Sequence, residues 1–279
     1  MARVTIFHTS DMHNKLNAAL AGKLRDLKAA HPGSLMLDSG DAIWAGNVFW
    51  RPGGEPVLDL MNSVPYDALC VGNREFHFLG IGMECKTSRA RFPVLSANLR
   101  SAKGTLTPNP APYKGEGGAG ANAARSLAPS GGEGWGEGAC ARIRTHISFR
   151  IADLQVTVVG LSVPCVTERM LVRKLSDYYF EQPTAAAAQV VPRLRKECDL
   201  LVALTHIGIK ADRELAEHAS GIDVILGGHT HTITQQPERV GGTWIAHHGF
   251  YAHYVGKVAI DVEPGRVTVA DELIPLGKG

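Results

Sequence analysis

Short runs of consecutive apolar residues alternate along the chain with longer stretches in which apolar residues recur every three or four positions. The runs end in polar loops, as in VTIFHTSDMH from residue 4, SLMLDSGD from 34, YDALCVGNREF from 66, DLLVALTHIG from 199 and DVILGGHTH from 223. Their length and β-branched content predict buried strands. Helical patterns such as LNAALAGKLRDLKAA lie between them. Strands that alternate with helices predict an α/β fold.

Residues 115–140, GEGGAGANAARSLAPSGGEGWGEGAC, interrupt this alternation. The segment is rich in glycine and alanine and poor in large apolar side chains, so little burial is available to offset the entropy of ordering it. We expect a solvent-exposed, flexible insert within one connection. The segment is not expected to mark a domain boundary.

Composition and charge narrow the class of protein. With 279 residues, 44% of them hydrophobic and 20% charged, the chain suits a single domain over residues 1–279 with a substantial core. The net charge is only +2, and no long run of Lys or Arg occurs. A nucleic-acid polymer is therefore not an expected partner.

The N-terminus and the cysteines bear on location. The chain becomes polar by His8, and no apolar stretch has the length of a signal peptide or membrane span. The five cysteines are an odd number, are scattered, and include no C-x-x-C pair, which is typical of reduced thiols. These features predict a cytoplasmic protein without a membrane partner.

Polar residues of a few chemical types follow the predicted strands. Carboxylate, amide and imidazole side chains stand where the strands end, at Asp11, His13, Asp41, Asn73, His206, His229 and His231. Ligands bind at the carboxyl edge of open α/β sheets. The set is large enough for two metal ions if one carboxylate is shared.

Each of these residues also has a structural interpretation when taken alone. His206 is then a core histidine, Asp41 a helix cap, and Asn73 a turn residue in left-handed conformation. The ordered set Asp-x-His, Gly-Asp, Gly-Asn, His, Gly-His-x-His favours metal binding over these alternatives. Asp38, in the same DSGD stretch as Asp41, is expected only to cap the next helix.

These motifs resemble those of the calcineurin-like metallophosphoesterases, in particular the catalytic domain of the 5′-nucleotidase group. HTSDMH, LDSGD, GNRE, LTHIG, GGHTH and the closing HHGFYAHYVGKVAIDV carry the resemblance. It implies a four-layer α/β/β/α sandwich with two divalent metal ions at one edge. One ion would be held by Asp11, His13 and His231 and the other by Asn73, His206 and His229, with Asp41 bridging both.

Ligand chemistry bears on the identity of these ions. Mixed carboxylate and imidazole ligands suit Mn, Fe or Zn better than Mg or Ca, which prefer oxygen ligands alone. The implied reaction is attack on phosphorus by a metal-bridged hydroxide.

The loop after Asn73 departs from this family. The 5′-nucleotidase group reads Gly-Asn-His-Glu-Phe-Asp there, whereas this chain reads GNREFH, which places Arg74 and His77 at the positions of the family's His and Asp. Arg74 cannot donate a proton near neutral pH, but it can bind phosphoryl oxygens. Our hypothesis makes Arg74 a charge clamp and His77 the acid. The alternative is that His77 stacks in the loop and faces elsewhere.

Further positions are expected around the site. Glu75 either holds Arg74 or His77 or lies behind the metal ligands. His247, His248 and Tyr251 lie in the loop that corresponds to one lining the family's cleft and are candidates for contact with substrate, whereas the alternative makes His247 and His248 ordinary loop residues. The sequence ends after the catalytic domain's last strands, and no C-terminal nucleotide-binding domain is recognised.

The function predicted on this basis is hydrolysis of a small phosphate monoester, or of a cyclic or simple diester, in the manner of a 5′-nucleotidase. Two alternatives stay open. One is the hydrolysis carried out by a sulfate-thiol hydrolase on the same kind of site. The other is binding of a metal and a phosphorylated ligand with weak or no catalysis. The oligomeric state is not predicted.

Overall fold

The computed structural model describes residues 2–102 and 143–277. The predicted insert at residues 115–140 lies outside the described residues. Within them the chain forms two large sheets that pack face to face, and a third sheet of two strands.

The first sheet has seven strands in the order β15-β14-β1-β2-β3-β4-β6. They are β1 (Ala2–Thr9), β2 (Leu35–Asp38), β3 (Ala68–Cys70), β4 (Val94–Leu95), β6 (Ile143–Arg144), β14 (Tyr254–Glu263) and β15 (Arg266–Pro275). Neighbouring strands among β1, β2, β3, β4 and β6 pair in parallel, whereas β14 runs antiparallel to β1 and β15 antiparallel to β14. The ends of β1, β2 and β3 therefore meet at one edge.

The second sheet has six strands in the order β12-β13-β11-β10-β8-β7. They are β7 (His146–Ile151), β8 (Leu154–Ser162), β10 (Leu200–His206), β11 (Val224–Gly227), β12 (Glu238–Val240) and β13 (Thr243–His247). β10 pairs in parallel with both β8 and β11. A separate two-stranded sheet joins β5 (Leu99–Ser101) to β9 (Tyr178–Phe180).

Helices cover the outer face of each sheet. Those on the first sheet are α1 (Ala18–Ala29), α2 (Val57–Ser63) and α3 (Gly80–Thr87), and those on the second are α4 (Pro183–Leu194) and α5 (Ile209–His218). A 3₁₀ helix spans Leu171–Lys174. The layers follow the order helix, sheet, sheet, helix, and this confirms the four-layer α/β/β/α sandwich.

The inner faces of the two sheets share one apolar core. Ile6 and Leu37 of the first sheet pack there with Val158, Val202 and Leu226 of the second, all fully buried. Alternate residues of a strand face opposite sides, so Phe7 lies beneath the helices instead.

Gly160 marks a close approach between the sheets. A Cβ atom at Gly160 would lie only 2.5 Å from the Cβ of Leu95. The two sheets therefore approach each other closely at this point.

Two findings relate to the predicted location. The described cysteines Cys70, Cys85, Cys165 and Cys198 are all free thiols, and Cys140 lies outside the described residues. Among the described helices, none combines the length and apolarity that a membrane crossing requires.

Candidate metal centre

The predicted ligands lie at the carboxyl ends of strands from both sheets. Asp11 and His13 follow β1, Asp41 follows β2 and Asn73 follows β3, all in the first sheet. In the second sheet His206 ends β10, and His229 and His231 follow β11. The site therefore exists only where the two sheet edges meet.

A first group consists of Asp11, His13 and His231. The Nε2 atoms of His13 and His231 are 3.0 Å apart, and Asp11 Oδ1 lies 3.8 Å from the first and 3.5 Å from the second. Ligand nitrogens bind Zn²⁺ at about 2.0–2.1 Å. Two ring nitrogens that face each other at this separation are close enough for one ion to bind both.

A second group gathers around His206. Its Nε2 atom lies 3.4 Å from Asp41 Oδ1 and 3.3 Å from Asn73 Oδ1, and its ring centroid is 5.0 Å from that of His229. Asp11, Asp41 and His206 also offer ligand atoms that lie within 4.8 Å of one another. The two groups thus adjoin at the carboxylates of Asp11 and Asp41.

Most of the ligands adopt an unusual backbone conformation. Asp11, His13, Asp41, His229 and His231 have positive φ angles of 51°, 45°, 56°, 82° and 52°. This left-handed region is uncommon for residues other than glycine and marks strained positions that cluster at functional sites. Asn73 does not have a positive φ, so the left-handed turn considered for it is not formed.

The donor set fits a divalent cation. Asp11 Oδ1 is buried and has no hydrogen-bond partner, although it faces His13 and His231. A buried carboxylate oxygen without a partner is costly. A cation bound among these three side chains would remove that cost.

The electrostatics of the site indicate the same ligand chemistry. Burial lowers the pKa of His13 to about 4, so its ring is neutral and able to bind a metal near pH 7. Burial opposes the charged form of His206 too, but the Asp41 carboxylate outweighs it and raises the pKa of His206 to about 9. For Asp41, burial is outweighed by His206, and its pKa falls to about 2. The buried carboxylates thus stabilise positive charge here.

Glu75 joins the two loops that carry Asp41 and Asn73. Its carboxylate accepts hydrogen bonds from the backbone N–H groups of Asp41 at 2.8 Å, Gly72 at 2.9 Å and Ala42 at 2.9 Å. The side chain is fully buried. Of the two roles considered for Glu75, the structure shows the one behind the metal ligands.

Arg74 borders the ligands and is open to solvent. Its backbone N–H donates to Asp41 Oδ1 at 2.7 Å, and its Nε lies 3.6 Å from Asp41 Oδ2. A third of the side chain is exposed, at 33%. The guanidinium is therefore next to the site, and its Nη1 donates to the Trp44 carbonyl oxygen at 2.5 Å.

His77 is placed as the structural alternative describes. The ring is fully buried, its Nδ1 accepts a hydrogen bond from Leu79 N–H at 3.0 Å, and its Nε2 lies 3.2 Å from the Val48 carbonyl oxygen. It stacks on Phe78 and meets the edge of Trp50, both at a centroid distance of 4.7 Å. With one nitrogen accepting, the other must donate to Val48, so both are occupied by backbone groups.

The residues expected to contact substrate differ in exposure. Tyr251 is 38% exposed, and its ring packs against those of His13 and His231. His248 is only 1% exposed and contacts His8 and Asp271. His247 is equally buried against Asp212. Tyr251 thus borders the site, whereas the expectation for His248 disagrees with its burial between the sheets.

Two residues behind the candidate ligands, Ser39 and His8, were not predicted from the sequence. Ser39 accepts a hydrogen bond from His206 Nδ1 on its backbone oxygen at 2.8 Å, and its hydroxyl contacts His8 Nε2 at 2.7 Å. The available signal was a histidine at an inward position of the apolar strand VTIFHT.

Comparison with known proteins agrees with this geometry. Residues 4–232 match the sequence model of calcineurin-like phosphoesterases. The chain is 26% identical to the trifunctional nucleotide phosphoesterase YfkN of Bacillus subtilis, over 96% of this chain and 19% of that protein. It is 28% identical to the human 5′-nucleotidase, over 82% and 38%.

The solved structures show the same fold. The 5′-nucleotidase precursor of Thermus thermophilus superposes with a TM-score of 0.70 at 21% identity, over 98% of this chain and 55% of that one. This chain spans well under two thirds of the length of each of these three proteins. The family match covers the strands and turns that carry all seven predicted ligands, and the chain belongs to the calcineurin-like phosphoesterases, a family of hydrolases that use divalent metals.

Proposed function

We propose that this protein is a dinuclear metal-dependent phosphoesterase that hydrolyses a small phosphate monoester, or a cyclic or simple diester. The observation that carries the proposal is the convergence of oxygen and imidazole ligands from two sheets around the adjoining carboxylates of Asp11 and Asp41. Nucleotides are the favoured substrates because relatives carry the names nucleotide phosphoesterase and 5′-nucleotidase.

The ligands divide into two sets. Asp11, His13 and His231 would hold one ion, and Asn73, His206 and His229 the other, with Asp41 shared. Mn, Fe or Zn suits this mixture of carboxylate and imidazole donors. When bound, such a pair of ions supplies Lewis acidity and lowers the pKa of a water molecule toward neutrality.

Arg74 serves as the charge clamp in this proposal. Its planar guanidinium can donate two parallel hydrogen bonds to non-bridging phosphoryl oxygens. Its backbone N–H holds the Asp41 carboxylate at 2.7 Å, so one residue orients a ligand and binds substrate. Tyr251, beside His13 and His231, would pack against the organic part of the substrate.

The occupied nitrogens of His77 bear on the leaving group. Because both contact backbone groups inside the protein, we infer that the loop after Asn73 supplies positive charge and no proton. Activity should then fall steeply as the leaving-group pKa rises. Esters with acidic leaving groups would be the better substrates.

The test uses purified protein stripped of metal and reloaded with Mn²⁺, Zn²⁺ or Fe²⁺. p-Nitrophenyl phosphate, bis-p-nitrophenyl phosphate and nucleoside monophosphates are assayed with wild type and with Asp41→Asn. We expect two ions per wild-type chain by metal analysis, and turnover that Asp41→Asn reduces by about 10³-fold or more.

Two outcomes would point elsewhere. Bound ions without any Asp41-dependent turnover would favour a metal- and phospho-ligand-binding protein. Turnover of a sulfate-thiol conjugate in preference to all phosphate esters would favour the other hydrolysis, although the matched family and relatives are phosphoesterases.

The free described cysteines still predict a reducing compartment such as the cytoplasm.

A further inference from the structure

A chain of buried polar side chains crosses the apolar layer between the two sheets. It consists of Ser39, His8, His248 and Asp271, which we call the polar seam. Ser39 follows β2, His8 lies in β1 and Asp271 lies in β15, all in the first sheet, whereas His248 follows β13 of the second. The seam therefore joins the two sheets.

Its members are in hydrogen-bond contact throughout. Ser39 Oγ lies 2.7 Å from His8 Nε2, His8 Nδ1 lies 2.6 Å from His248 Nδ1, and His248 Nε2 lies 3.1 Å from Asp271 Oδ2. Both histidines and Ser39 are at most 1% exposed. Water is thus excluded from the contacts around these residues.

The backbone makes room for the seam. Gly256 of β14 stands opposite His8 in the strand ladder, and a Cβ atom added there would lie 2.2 Å from the His248 ring. The glycine thus leaves the space into which the ring of His248 inserts. Around it the inner faces carry apolar residues such as Ile6, Val258 and Ile260.

Ser39 connects this seam to the candidate metal centre through two groups of the second sheet. Its hydroxyl donates to the carbonyl oxygen of Leu226 at 2.8 Å, three residues before His229. Its backbone carbonyl accepts from His206 Nδ1 at 2.8 Å, on the side of the ring opposite the Nε2 that faces Asp41 and Asn73. Ser39 thus touches both strands that supply ligands from the second sheet.

We propose that His8 is a positioning residue that acts through Ser39 to hold His206 and the β11 turn at the distance the ions require. His248 and Asp271 orient the His8 ring. The inference rests on the proposed metal centre, since it concerns how that centre is assembled, and it assigns a role to residues that contact neither ion nor substrate.

A purely structural role is the competing explanation. Replacing a buried ion pair by well-packed apolar side chains is often neutral or stabilising. Stability alone is therefore a weak explanation for the presence of the polar seam in this core. Residues that hold a metal-binding histidine typically contribute 10–100-fold to metal affinity. The position of Ser39 behind His206 is of that kind.

The test compares two substitutions at one position. His8→Gln places an amide N–H where Nε2 stands and keeps a donor for Ser39, whereas His8→Asn reaches only the position of Nδ1 and loses that contact. Mn²⁺ affinity is measured by calorimetry, and the ligand geometry by the visible spectrum of the Co²⁺ form. We expect His8→Asn to weaken binding by about 10-fold or more, and His8→Gln by less than about 3-fold.

Ser39→Ala provides a second route to the same end. It removes the hydroxyl and keeps the carbonyl that His206 uses, so it should reproduce the loss in His8→Asn. The double variant His8→Asn/Ser39→Ala should lose no more Mn²⁺ affinity than either single variant, because both substitutions break the same contact between His8 and Ser39. Thr157→Val is the matched control, since it breaks a buried 2.8 Å contact with Ser148 within the second sheet, away from the ligands.

The outcomes separate this inference from the proposed function. Equal Mn²⁺ affinity and unchanged Co²⁺ spectra in folded His8→Asn and Ser39→Ala would overturn the positioning role, and so would an equal loss in Thr157→Val. Absence of metal binding by the wild type would instead overturn the metal centre itself. All these readouts are independent of substrate.

Discussion

Single residues decide what the loop after Asn73 can contribute. Arg74 and His77 differ from the family's pattern, and the structure places them in unlike surroundings. Arg74 is partly exposed beside Asp41, whereas His77 is enclosed by Trp50 and Phe78. The sequence predicted which residues had changed. It could not reveal that both nitrogens of the His77 ring would be hydrogen-bonded to backbone groups of Val48 and Leu79.

The charge of Arg74 is open to a direct test. In the proposed function Arg74 binds the transferred phosphoryl group, so we expect Arg74→Ala to lower kcat by about 10²–10³-fold. Arg74→Lys should recover part of this loss, since it restores charge without the bidentate geometry. The matched control is Arg213→Ala, which removes an exposed arginine paired with Glu238. An Arg74→Ala enzyme with unchanged kcat would exclude the clamp.

The two roles considered for His77 predict different activities on substrates with different leaving groups. His77→Gln retains a donor for the Val48 carbonyl but cannot titrate. We expect its turnover of an alkyl phosphate to stay within about twofold of wild type, with the acid limb of the pH–rate profile unmoved. Loss of about 10² or more on the alkyl ester alone would show that His77 donates the proton after all.

Burial of His8 links stability to pH. Burial, with smaller contributions from His248 and His247, lowers the pKa of His8 well below its usual value. Ser39 and His248 are the groups in contact with its ring, and Asp271 lies beyond His248. The ring stays neutral in the fold but takes up a proton below about pH 6.5 when the chain unfolds.

The free energy of unfolding should therefore decrease as the pH falls below about 6.5. Between pH 6.5 and 5.5 we expect metal-free wild type to lose up to about 1 kcal/mol more than His8→Gln, which lacks this titration. Urea unfolding at each pH measures the difference. Identical pH dependence in the two proteins would show that His8 is not held neutral.

At the scale of elements, the hydrophobic pattern was sufficient where elements are buried on one clear side. The helical pattern that begins at residue 16 corresponds to α1, and the apolar runs correspond to the central strands. The pattern was too weak for β15, an edge strand that is intermediate or exposed along its length. Partial exposure removes the apolar signal on which such predictions depend.

Two glycines in different elements allow a matched comparison. Gly256→Ala would drive a Cβ into the His248 ring, and we expect it to lower the free energy of unfolding by about 1–3 kcal/mol. Gly22→Ala in α1 meets nothing closer than 3.8 Å and should raise it by about 0.5–1 kcal/mol. Thermal or urea unfolding measures both. Equal effects at the two sites would mean that the His248 ring moves aside without a measurable cost in stability.

At the scale of the whole molecule, the centre is a property of the packed sheets. The sequence predicted seven candidate ligands from their order along the chain. Their distances depend on how closely two sheets approach, through contacts such as Gly160 with Leu95 that lie far from any motif. Local patterns carry no information on such approaches, and the polar seam was missed for the same reason.

Because both sheets supply ligands, metal should stabilise the entire fold. At free metal 100 times the dissociation constant, a bound ion adds about 2.7 kcal/mol to the free energy of unfolding. We expect chelation to lower the Tm of wild type by several degrees, and that of Asp41→Asn much less. Calorimetric scans with and without chelator give the comparison. An equal shift in both proteins would place the stabilising ion elsewhere.

The left-handed backbone at Asp11, His13, Asp41, His229 and His231 has an evolutionary consequence. At each of these positions glycine would relieve strain, at the expense of a side chain that the reaction needs. In a gene copy that is no longer selected for activity, some of the single substitutions that most stabilise the fold would therefore be those that remove candidate metal ligands.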